Sequence, residues 1–92
     1  MPKFFQYKVA GYYLYYTTFC IVECFHAHAS DGRLTETSSA KFFIRNDGSS
    51  VIQRKGALKN KEIRFIQRYI KEHYLEMYDL WKENGGEGFY RS

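Results

Sequence analysis

Ninety-two residues leave room for one hydrophobic core and no separate regulatory unit, so a single domain spanning 1–92 is expected. With 45% hydrophobic and 20% aromatic residues the chain can bury enough apolar surface to fold rather than stay disordered. Its net charge of +4 and pI near 9.1 admit nucleic acid or an acidic protein as partner without requiring either.

The longest uncharged run, Val9 to Val22, falls short of the roughly 18–20 residues that cross a bilayer and is broken by Tyr, Thr and Gly. The opening "MPKFFQYKVAG" lacks the apolar run and small-residue cleavage pattern of a signal peptide, so a cytoplasmic protein without membrane association is expected. Nine tyrosines and eight phenylalanines exceed what so small a core needs, which points some of them at a partner.

In chain order, "PKFFQYKV" predicts a short strand, Ala10-Gly11 a tight turn and "YYLYYTT" a second strand. In that second strand Tyr12, Leu14 and Tyr16 face one way and Tyr13, Tyr15 and Thr17 the other. Aromatic cover on both faces predicts a central position in the sheet. "CFHAHAS" follows as a strand, with Asp31-Gly32 suited to a hairpin turn; "RLTETSS" is polar and extends the hairpin or loops out. "AKFFIR" and "SVIQR" then flank the turn "NDGS". The strands occupy about residues 2–54 and form an antiparallel sheet of four or five strands.

From Asn60, a candidate N-cap, the period changes. Ile63, Ile66, Ile70, Tyr74, Met77 and Trp81 fall within roughly 80° of one another at about 100° per residue, the pattern of an amphipathic helix laid on the sheet. "NGG" at 84–86 stops it. The helical segment covers about 60–84 as one long helix or, with a break near His73, two short ones. Phe89 and Tyr90, in the tail 85–92, are expected to fold back. The fold class is α+β.

Two cysteines, a glutamate and two histidines crowd into "CIVECFHAH" at 20–28. On one extended strand Cys20 and Cys24 stand about 13 Å apart, too far for a disulfide, so free thiols are expected. Cys20, Cys24, His26 and His28 share parity, but same-face neighbours are about 6.8 Å apart, which leaves only neighbours such as His26 and His28 able to chelate one ion, while Cys20 and His28 cannot. A divalent metal there would need a third ligand, with Glu23 and His73 as candidates; no cofactor is otherwise implied. The same two imidazoles could act as general base and general acid in metal-independent RNA cleavage. Against both stands the plain alternative of two satisfied polar residues on a strand. Cys24 has no evident activating base and reads as a small buried hydrophobe, and Trp81, on the apolar stripe, as core.

A second cluster is cationic. Lys61, Arg64, Arg68 and Lys71 lie together on the helix side away from the isoleucines, and Arg54, Lys55 and Lys59 precede them. Cations at a helix N-terminus oppose the macrodipole, so helix stability does not explain them. Phosphate or an acidic partner protein does; the ordinary alternative is a solvated face balanced by Glu62, Glu72 and Glu76.

The segments "MPKFF", "GYYLYY", "ECFHAHA", "AKFFI", "KGAL", "IRFIQRYI" and "LW", in that order over nearly the whole chain, resemble domain-of-unknown-function family 4160 of small bacterial His-x-His proteins. The resemblance implies the toxin-like member of a toxin-antitoxin module, paired with a small antitoxin-like protein of domain-of-unknown-function family 2442. It carries over His26 and His28 as the His-x-His pair and Glu23 as the acidic residue before it. Where the family has proline between acid and first histidine, this chain has Cys24 and Phe25, and its loop "SDGRLTETSS" is longer. The function expected is thus a toxin-like protein acting on RNA through His26, His28 and Glu23. The alternatives are a non-catalytic module binding protein or nucleic acid, or a small metal-binding protein.

Overall fold

A computed structural model describes residues 3–16, 23–31 and 39–91. Among these residues four strands, β1 (Tyr13–Tyr15), β2 (His26–Ser30), β3 (Ala40–Ile44) and β4 (Ser50–Arg54), precede one helix, α1 (Asn60–Glu83). The strands form an antiparallel sheet in the order β1-β2-β3-β4, as expected of an α+β fold.

The N-terminal segment departs from the sequence reading. Residues 4–8 form no strand; Lys3 bridges Tyr15, and Phe4 N–H donates to the Leu14 carbonyl. The Ala10-Gly11 turn forms, both residues at positive φ (54° and 88°), closed by reciprocal Val9–Tyr12 backbone bonds. β1 is accordingly an edge strand, not a central one. Aromatic cover misled the placement because the edge is itself covered: Phe4 packs on Tyr16 at 4.9 Å, and Leu14, Tyr15 and Tyr16 are all buried. The strand expected from Cys24 begins at His26, after a bend at 23–25; Cys20 and most of the 32–39 loop lie outside the described residues.

The β3–β4 hairpin forms where "NDGS" places it. Gly48 sits at φ 87°, and a Cβ there would stand 2.6 Å from the Tyr74 ring, so both backbone and packing require glycine. Asp47 braces the turn by accepting from Ser49 N–H and Oγ–H.

α1 runs unbroken past His73. Its N-cap is Lys59, one residue earlier than expected, because Glu62 reaches back to accept the Lys59 N–H at 2.8 Å. Ile63, Ile66, Ile70, Met77 and Trp81 are buried, joining Leu14, Ala27, Ala29, Ala40, Phe42 and Ile44 in one core. The tail returns as expected: Phe25 N–H donates to Gly88 O, Tyr90 N–H donates to Ile44 O, and Phe89 stacks on Tyr78 at 3.9 Å. Trp81 locks it by donating Nε1–H to Glu87 O at 2.6 Å. Among the described residues no helix is long and apolar enough to cross a membrane.

Candidate functional site

His26 and His28 alternate along β2 with Ala27 and Ala29, which belong to the core. Alternation would leave one strand face open to solvent, yet His26 is 0% and His28 2% exposed. Cross-strand register explains much of this. Tyr15 stands opposite His28 and Phe43 opposite His26, and both rings pack against the imidazoles, Tyr15 tilted at 5.4 Å and Phe43 edge to face at 5.9 Å. Trp81 adds an edge contact to His26 at 5.4 Å.

The two imidazoles meet edge to face, centroids 5.1 Å apart. His26 Nδ1 lies 2.8 Å from the Cys24 carbonyl; a carbonyl only accepts, so that nitrogen carries the hydrogen. His28 Nδ1 lies 3.3 Å from Ser39 Oγ, itself buried. Tyr15 and Ser39 thus belong to this cluster. Sequence reading missed them because only strand register, not spacing along the chain, brings them to His28.

Glu23, expected to assist the pair, is exposed and gives both carboxylate oxygens to Lys41 Nζ at 3.0 Å. His73, the other candidate third metal ligand, stacks on Tyr69 at 4.2 Å and bonds Glu76 Oε1 at 2.5 Å on α1. Among the described residues no group of three or more His, Cys, Asp or Glu could hold a metal ion. Burial, reinforced by the neighbouring Glu23 charge, pushes the half-buried Cys24 thiol up, away from nucleophilic thiolate character.

The cationic candidates divide. Arg54 is half-buried and donates Nε–H to the Ser39 carbonyl at 2.9 Å, so it braces the sheet. Lys55 and Lys59 are exposed in the β4–α1 connection, and Lys61, Arg64 and Arg68 are exposed on the outer face of α1. Phe65, among these cations, is 54% exposed, and Leu75, two to three turns on, is 63% exposed. Both are legible in the sequence as apolar residues off the isoleucine stripe.

Beside this face, Phe5, Tyr7, Tyr69 and His73 form an aromatic cluster in which the Tyr7 and Tyr69 hydroxyls hydrogen-bond. Burial, with the Tyr7 hydrogen bond next, pushes Tyr69 up to about 12. Comparison with protein-family models, curated proteins and solved structures finds no match.

Proposed function

We propose that this chain is a toxin-like, protein-binding component, and that it works by association through the outer face of α1 instead of by RNA cleavage at His26 and His28. One observation carries the reading: the imidazoles are inside the fold while the cations and Phe65 are outside it. A phosphate cleaved by paired imidazoles must come within about 3 Å of both, and side chains at 0% and 2% exposure give it no approach. The pair's contacts with Tyr15, Ser39, Phe43 and Trp81 fit a packing role in which β2 is tied to its neighbours.

A protein partner fits the outer face better than nucleic acid does. Lys61, Arg64 and Arg68 are followed along the same helix by Glu72, Glu76, Asp79 and Glu83. A phosphate backbone laid along that face would gain at one half and be repelled at the other. A folded surface that presents carboxylates to the cationic half, cations to the acidic half and an apolar contact to Phe65 satisfies the whole face.

Overexpression in a bacterial host tests the reading. The account expects growth inhibition that persists in His26→Asn and His28→Asn variants shown to fold, and that disappears in Arg64→Glu/Arg68→Glu. Inhibition lost with the histidines but kept without the arginines would restore the RNA-cleaving reading, and folded wild type that leaves growth unaffected would remove the toxin-like role.

A further inference from the structure

The outer face of α1 carries its own complement. Lys61 and Asp79, Phe65 and Leu75, and Arg68 and Glu72 form three pairs, each equidistant along the helix from Ile70. All six are exposed and fall within roughly 80° at about 100° per residue, centred on the side opposite Ile70. None of the four charges forms an ion pair among the described residues.

From these observations we infer that this face docks a second copy of the chain, with the two α1 helices antiparallel and a two-fold axis level with Ile70. The inference rests on the association reading above and names the partner. A two-fold axis is the operator that lets one patch meet itself. Placed level with Ile70, it sets the cationic turns of each helix opposite the acidic turns of the other. Phe65 and Leu75 lie about 7.5 Å on either side of that level at about 1.5 Å per residue, so each Phe65 reaches the level of the partner's Leu75. A parallel arrangement would set Lys61 and Arg68 against their own copies, with like charges repelling. An acidic protein of different sequence could satisfy the cations, but it would leave Glu72 and Asp79 facing like charge. A second copy satisfies both halves at once.

Charge exchange between two variants tests this. Lys61→Glu/Arg68→Glu makes the face wholly acidic, and Glu72→Arg/Asp79→Lys makes it wholly basic. Lys61→Glu and Asp79→Lys suit their ends of the helix dipole, so the fold should hold. By sedimentation equilibrium, wild type should be a dimer weakened by added salt. Each variant alone should self-associate at least about tenfold more weakly, and an equimolar mixture should recover a one-to-one dimer. Monomeric wild type, or a mixture that stays as weak as its components, would overturn the inference. If wild type is monomeric yet Arg64→Glu/Arg68→Glu still abolishes growth inhibition, the second copy is wrong and the association reading survives with a different partner. Loss of neither dimer nor growth inhibition on charge reversal overturns both.

Discussion

The two long faces of α1 have similar length and opposite chemistry. The inner face sets Ile63, Ile66, Ile70, Met77 and Trp81 into the core, and Trp81 touches His26 and holds the returning tail. The outer face carries Lys61, Arg64, Phe65, Arg68, Glu72, Leu75 and Asp79 in solvent. In the reading proposed here, stability belongs to the first and recognition to the second. The His pair, which sequence alone offers as the seat of chemistry, falls on the stability side of that division.

The division is broken most severely at Trp81. Trp81→Ala removes a 0%-exposed indole and the anchor of the tail, and should cost about 3–5 kcal/mol, a large part of what a domain this small has, read as a lower urea midpoint. Gly48→Ala comes next. It forces a side chain into positive φ and against the Tyr74 ring, and a loss of about 1–3 kcal/mol is expected by the same measurement.

Alkaline pH probes the seam between the faces. Tyr69 keeps its proton up to about 12 in the folded chain, against an ordinary value of 10.0. Between those values the folded state binds more protons than the unfolded one, so stability present below pH 10 falls as pH rises towards 12. Tyr12 and Tyr16, also raised by burial, act in the same direction. Tyr69→Phe should flatten the profile over that window, and an unchanged slope would remove Tyr69 as a cause.

The smallest effect on stability is expected on the outer face. Arg64→Glu/Arg68→Glu should shift folding free energy by no more than about 0.5 kcal/mol per substitution while changing association. A large loss of stability there would erase the distinction between the faces.

These faces were not equally legible in the sequence. The isoleucine stripe could be read because its period is sustained over about five turns of helix, and the β3–β4 hairpin because Asn46-Asp47-Gly48 has turn chemistry that outweighs its flanks. The N-terminal strand could not. "KFFQYK" has the aromatic content of a strand, but only Lys3 and Val9 find bridging partners, and the phenylalanines serve the core instead. For the histidines, alternation correctly put His26 and His28 on the same parity. Their burial depends on which residues lie opposite, Tyr15 and Phe43, and on the helix and tail that bring Trp81 and Tyr90 to the sheet. Those are long-range pairings that local spacing does not encode. Glu23 is instructive in the same way: adjacency along the chain suggested a helper for His26, and the fold gives its carboxylate to Lys41.

Chemical modification of the three histidines with diethyl pyrocarbonate, located by peptide mass mapping, tests the central claim most directly. His73, with a 33%-exposed side chain, should react in the native protein, and His26 and His28 should react only after denaturation. Native-state modification of His26 or His28 at a rate comparable to His73 would place the pair at the surface and contradict the account.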